Sequence, residues 1–82
     1  MSKLHFLELV AELDERKNVI VRIMTALEEI IGELEGYEKE IKAYQIPESY
    51  QTIILYQVKT LEYGIVAHKT ALVWFKKLFS EM

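Results

Sequence analysis

Apolar residues recur at alternating spacings of three and four through the first half of the chain. The run is unbroken over more than three heptads, which is typical of a helix that packs along one apolar seam. Charged residues between positions 28 and 42 fall on the opposite face. The pattern therefore predicts a long helix over about residues 14–44. Its apolar positions are Ile20, Ile23, Leu27, Ile30, Leu34, Tyr37, Ile41 and Tyr44.

The beginning of the chain interrupts this seam. Phe6, Leu9 and Leu13 continue the apolar stripe, but Arg16 falls on the next seam position. Asp14 is a residue type that caps helix N-termini. We therefore predict a separate short helix over about residues 3–10, followed by a new helix start near Asp14.

A turn is predicted around the single proline. Pro47 disfavours helical geometry at the residue before it and fits the first turn of a helix that follows. Glu48 then lies favourably near that helix's N-terminus. The sequence thus predicts a turn at residues 45–48 and a second long helix over about residues 48–81.

The second helix carries two adjacent apolar stripes, whereas packing against one partner helix requires a single seam. The first stripe runs through Ile54, Val58, Leu61, Ile65, His68, Leu72, Phe75, Phe79 and Met82. The second runs through Ile53, Gln57, Thr60, Gly64, Ala67, Ala71, Trp74 and Leu78. We therefore expect an all-α fold: a single domain, residues 1–82, in which a long antiparallel helical hairpin pairs with another into a dimeric, coiled-coil-like bundle.

Composition supports a need for a partner. In 82 residues, of which 51% are hydrophobic, a core rarely supplies more than roughly 3–5 kcal/mol without disulfides, a metal or oligomerisation. The chain has no cysteine, which removes disulfides and thiol chemistry. A net charge of −3 with scattered basic residues argues against nucleic-acid binding by this chain alone. We expect a homodimer.

Targeting signals are not visible in the sequence. Charged residues interrupt the apolar run within the first 17 positions, unlike a signal peptide. The longest uncharged stretch, Ser49–Val58, has ten residues, whereas a membrane span requires about twenty. The sequence therefore predicts a cytoplasmic protein that does not associate with membranes.

The segment Thr60–Phe79 resembles the last helix of PadR-type transcriptional regulators, whose C-terminal domain is also called the virulence-activator alpha type. The similarity rests on Leu61 and Gly64 at its start and on a Leu-x-Trp-Phe close formed by Leu72, Trp74 and Phe75. Residues 3–9 resemble the segment that follows the wing in those proteins, and residues 27–34 resemble their long middle helix.

This resemblance implies a dimerisation domain of a PadR-like regulator, whose DNA is read by an N-terminal winged helix-turn-helix not found among these 82 residues. Either a fragment or a stand-alone protein fits the pattern, and a stand-alone chain would pair with itself or with a full-length regulator. Two alternatives remain: an adaptor or inhibitor that binds another helical protein, and a small-molecule-sensing module.

Candidate functional residues all lie on the second helix. The predicted dimer interface comprises Leu61, Gly64, Ile65, His68, Leu72, Trp74, Phe75 and Leu78. Some PadR relatives sense small aromatic compounds, and the resemblance implies Tyr56, Tyr63 and Trp74 as ligand-lining residues. Packing is the stronger expectation for these aromatics, because they dominate the energetics of helix interfaces.

No residue pattern indicates catalysis. His68 lies on the apolar seam, where it is either a packed core histidine or a pH-sensitive interface group. A di-iron centre requires Glu-x-x-His, but Ser2 and Ile65 precede His5 and His68 by three positions. We therefore expect neither an enzyme nor a bound metal or cofactor.

Overall fold

The computed structural model describes residues 3–82, with side chains described from residue 8 onward. Helix α1 runs from Lys3 to Ala43, a 3-10 turn spans Glu48–Tyr50, and helix α2 runs from Gln51 to Ser80. The two helices contact each other as a hairpin, and the described residues contain no strand. The predicted all-α fold is therefore confirmed.

The predicted break near Asp14 is wrong, because α1 is continuous from Lys3 to Ala43. The Arg16 guanidinium donates to the Glu12 carboxylate at 2.8 Å, one helical turn earlier and across the predicted break. This stretch contains neither Gly nor Pro, and Asp14 lowers helix propensity by less than about 1 kcal/mol. A charged residue is accommodated at this position because the Arg16 side chain remains largely exposed. It lies in a groove with Met82, the last residue of the chain.

The turn between the helices is built around Pro47. Its φ of −55° and ψ of 142° keep it out of helical geometry, and its carbonyl accepts the Tyr50 N–H at 2.9 Å to close the 3-10 turn. Helix α1 ends at Ala43, where the sequence predicted residue 44, and α2 begins at Gln51 after the 3-10 turn.

Contacts along the hairpin pair late residues of α1 with early residues of α2. Ile41 and Ile53 line one groove near the turn. Farther along, a Cβ added at Gly64 would lie 3.6 Å from Leu34 Cδ1. At the far end Ile20 lies in a groove with Leu78 and Met82. The first part of α1, from Lys3 to about position 11, therefore extends past the end of α2.

The seam that α1 turns towards α2 matches the predicted one in part. The predicted positions that are buried or half-buried are Ile20, Ile23, Leu27, Leu34 and Ile41. Ile31, which is not on the predicted seam, is only 8% exposed. Tyr37, which is on the predicted seam, is 57% exposed. Helix α2 packs on the side of α1 that carries Met24 and Ile31, and the ion pair between Lys69 and Glu35 lies on that side. Part of the predicted seam is consequently left uncovered: Ile30, Tyr37 and Tyr44 are all exposed.

The hairpin is a single layer of two helices, and few of its side chains are buried. Its extents are 72 × 15 × 15 Å and its radius of gyration is 20.1 Å, against about 12 Å for a compact chain of this length. Among the described side chains, only Ile20, Ile31 and Ile65 are buried. The accessible surface of 6899 Å² exceeds by about 1,800 Å² that of a typical folded monomer of this mass.

Candidate protein-interaction surface

One flank of the hairpin carries the ion pairs that connect its helices. Lys69 Nζ lies 3.1 Å from Glu35 Oε1, and Lys42 Nζ lies 3.9 Å from Glu62 Oε1. Lys42 also contacts Glu38 at 3.0 Å within α1. Such exposed pairs contribute about 0.2–1 kcal/mol each. We call this side the charged flank, and its charges are already matched within the chain.

The opposite side of the hairpin, here the uncharged flank, combines one stripe of α2 with one stripe of α1. Its α2 residues are Ile53, Gln57, Thr60, Gly64, Ala67, Ala71, Trp74 and Leu78, and its α1 residues are Ile30, Tyr37 and Tyr44. With 100° of rotation per residue, Lys59, Glu62, Lys69 and Lys76 all fall on other faces of α2. This stripe of α2 is therefore free of charge from Ile53 to Ala71, and Lys77 and Glu81 lie beside its last two residues, Trp74 and Leu78.

Large apolar side chains stand exposed at both ends of the α2 stripe. Ile53 is 56% exposed at the turn end and Trp74 is 59% exposed at the far end. Between them the side chains are small, with Gly64, Ala67 and Ala71 at intervals of three and four. An exposed apolar surface of this extent is typical of a protein–protein contact.

A groove of about 710 Å³ opens on the uncharged flank beside the turn. Its lining comes from both helices, with Tyr37 and Ile41 from α1 opposite Ile53 and Tyr56 from α2. A second groove continues it around the turn, past Tyr44, Pro47 and Tyr50. The groove is therefore a continuation of the same apolar surface.

Polar groups on and beside this flank bond within α2. The Thr60 hydroxyl donates to the Tyr56 carbonyl at 2.9 Å. The His68 Nδ1 lies 2.6 Å from the Gly64 carbonyl, a contact in which Nδ1 carries the proton and donates. Covering these groups with a partner costs less than covering unpaired ones, because a buried polar group is expensive only when it lacks a hydrogen bond.

The predicted interface residues divide between two surfaces. Ile65 is buried and Leu61, His68, Leu72 and Phe75 are half-buried on the seam that faces α1, where they hold the hairpin together. Trp74 lies exposed on the uncharged flank, whereas Gly64 and Leu78 lie half-buried at the border between that flank and α1, beside Leu34 and Ile20. The Trp74 and Phe75 rings connect the two surfaces, with centroids 5.0 Å apart and planes at 88°.

Within one chain the three predicted ligand-lining aromatics lie apart. Tyr56 lines the groove beside the turn. Tyr63 is 76% exposed. Trp74 lies beside Lys77 and Leu78, about 27 Å along the helix from Tyr56.

Sequence reasoning missed the contribution of α1 to the uncharged flank. Ile30, Tyr37 and Tyr44 were expected inside the hairpin, but all three are exposed. The tyrosines carried a signal, because a phenol at a buried seam position requires a hydrogen-bond partner. Leu9, Val10 and Leu13 add further exposed apolar surface where α1 extends beyond α2.

Metal sites, membrane spans and known relatives add nothing to this surface. Among the side chains that the structure describes, those of residues 8–82, no three of histidine, aspartate or glutamate come together as metal ligands would. No helix there combines the length and apolarity that crossing a bilayer requires. Comparison with protein-family models, curated proteins and solved structures returns no match for this chain.

Proposed function

We propose that this chain is the dimerisation module of a PadR-like transcriptional regulator, and that the uncharged flank is the surface that meets a second copy. The observation that carries the proposal is the contrast between the two flanks of the hairpin. The charged flank has its own ion pairs around exposed Val66, whereas the uncharged flank exposes Ile53, Tyr37 and Trp74 to water.

The exposed area supports a partner of substantial size. The chain exposes about 1,800 Å² more than a typical monomer of its mass. A standard interface buries about 800 Å² per partner, and obligate dimers bury more. Pairing two hairpins through an interface of standard size would therefore cover a large part of the excess.

The chemistry of the flank favours a helical protein partner over a nucleic acid. Phosphate backbones are bound by clusters of Lys and Arg. The α2 stripe from Ile53 to Leu78 contains neither residue type. An identical flank on a second copy is a matching partner, because each chain then covers the apolar stripe of the other.

The regulatory part of the proposal is supported by the resemblance of Thr60–Phe79, residues 3–9 and residues 27–34 to PadR-type regulators. Regulators that read DNA with a helix-turn-helix commonly bind two half-sites as two-fold dimers. A module that only dimerises therefore has a direct role in such a protein, since it holds two reading heads at a set separation.

Light scattering tests the proposal on a pair of variants that each add one lysine. Ala67 lies on the uncharged flank and Thr25 lies on the outer face of α1, and both are exposed. Ala67→Lys places an unpaired ammonium inside the proposed interface, which costs several kcal/mol. We expect a dimer for the parent chain and for Thr25→Lys, and a monomer for Ala67→Lys. A dimeric Ala67→Lys chain would reject this surface.

A second function, an adaptor or inhibitor that pairs with a different helical protein, is favoured by the same exposed flank. It predicts that the purified chain is monomeric at micromolar concentration. If the partner is a full-length PadR-like regulator, the two proteins co-purify, and added chain lowers operator occupancy in a mobility-shift assay. Failure of both effects would remove the inhibitor role.

A further inference from the structure

We infer that the second copy docks antiparallel, with α2 of one chain against α2 of its partner and the two-fold axis passing near Gly64. The inference rests on the proposed dimerisation and adds the geometry of that contact. It is carried by two properties of the uncharged flank: the placement of its large side chains and the small residues between them.

The large side chains fix the position of the axis. Ile53 and Trp74 are the bulky exposed residues at the ends of the stripe, about 32 Å apart along α2. Their midpoint falls beside Gly64. A two-fold contact is self-complementary, so a residue at the axis meets its own copy and residues on either side meet each other.

The small residues at the centre allow the two α2 helices to approach closely. Gly64 and Ala67 have little or no side chain, and the Thr60 hydroxyl is turned to the Tyr56 carbonyl. Close approach of helices through small residues, with bulky residues towards the ends, forms a contact without voids.

Antiparallel pairing keeps the spacing of the helices even. In that arrangement each end of the contact holds one Ile53 and one Trp74 of the partner subunit. Parallel pairing would instead place two tryptophans together at one end and two isoleucines at the other. The separation of the two helices would then have to widen along the contact, which close packing disfavours.

The helix dipoles favour the same direction, because opposite ends of antiparallel neighbours lie side by side.

Cysteine crosslinking tests this geometry without background, because the chain contains no cysteine. Gln57 and Ala71 lie on the uncharged flank about equally far from Gly64, on opposite sides of it. Under antiparallel pairing Gln57 faces the partner's Ala71, and each residue lies about 20 Å from its own copy. Three single-cysteine variants are therefore prepared: Gly64→Cys, Gln57→Cys and Ala71→Cys.

A short bifunctional thiol reagent is expected to crosslink Gly64→Cys with itself. Gln57→Cys and Ala71→Cys should give crosslinked dimer only when the two variants are mixed, and neither alone. Lys39→Cys, in the groove of the charged flank, is the exposed control and should give none. Circular dichroism checks that each variant keeps its helices. If Gly64→Cys does not fold, a mixture of Ala67→Cys and Thr60→Cys takes its place in the crosslinking experiment.

The outcomes separate this inference from the proposed function. Self-crosslinking of Gln57→Cys and of Ala71→Cys in a dimeric chain would overturn the antiparallel geometry and leave dimerisation intact. A dimer that none of the flank cysteines crosslinks would overturn it as well, since the partner would then sit elsewhere. A parent chain with the mass of a monomer would overturn both the geometry and the dimerisation on which it rests.

Discussion

Trp74 is the largest side chain on the uncharged flank, and replacing it by alanine separates the stability of the hairpin from that of the dimer. In the single chain its main partner is the Phe75 ring, with centroids 5.0 Å apart. An aromatic pair of this kind contributes about 0.5–1.5 kcal/mol. The hairpin should therefore keep its helices in the Trp74→Ala variant.

The effect on the dimer is expected to be larger. A tryptophan side chain presents up to about 250 Å², and Trp74 is 59% exposed, so about 150 Å² remains for a partner to cover. Covering half of it contributes about 1.8 kcal/mol per chain at 25 cal/mol per Å². Two chains contribute about 3.7 kcal/mol, which corresponds to a roughly 400-fold increase in the dimer Kd.

Sedimentation equilibrium over a range of concentrations measures this Kd directly. Val66→Ala is the matched control, because Val66 is also exposed but lies in the groove of the charged flank. Its dimer Kd should equal that of the parent chain. An unchanged Kd for Trp74→Ala, with Val66→Ala behaving alike, would refute the assignment of the interface to the uncharged flank.

Two further predictions concern the hairpin itself. Ile65 is one of the buried side chains, so Ile65→Ala should lower the free energy of unfolding by about 2–5 kcal/mol. Urea unfolding followed by circular dichroism measures this change. An unchanged unfolding midpoint would show that α2 does not pack on α1 through this residue. A Cβ added at Gly36 meets nothing within 4 Å, so Gly36→Ala should raise stability by about 1 kcal/mol through helix propensity alone. A weaker dimer in that variant would mean that a partner approaches α1 at Gly36.

Local signals predicted the elements of the fold well where they were strong. Pro47 located the turn, because a proline acts on its neighbours whatever the tertiary context. The capping signal at Asp14 was weaker, and the helix start predicted from it is wrong. Helix α1 instead continues through Asp14, and the ion pair between Arg16 and Glu12 spans that position.

The spacing of apolar residues did not predict which face of α1 is turned towards α2. Ile30 and Ile31 are adjacent in sequence, and both continue an apolar stripe with Leu27 and Leu34 at helical spacing. Which of them is buried depends on where α2 lies, and the ion pair between Lys69 and Glu35 forms on the Ile31 side. That choice is a tertiary one, so the sequence alone left it open.

The candidate site was predicted in part for a related reason. Both stripes of α2 lie on one helix, so the sequence revealed the surplus stripe that includes Gly64 and Trp74. It did not reveal that Leu61 and Ile65 are used within the hairpin, or that Tyr37 joins the outer surface. Those assignments depend on how two helices share one seam.

The mass of the parent chain in solution tests the central claim most directly. Multi-angle light scattering at micromolar concentration is expected to give twice the chain mass of 9.7 kDa, because pairing covers the uncharged flank that the single hairpin exposes. A mass of 9.7 kDa that persists as the concentration is raised would contradict it.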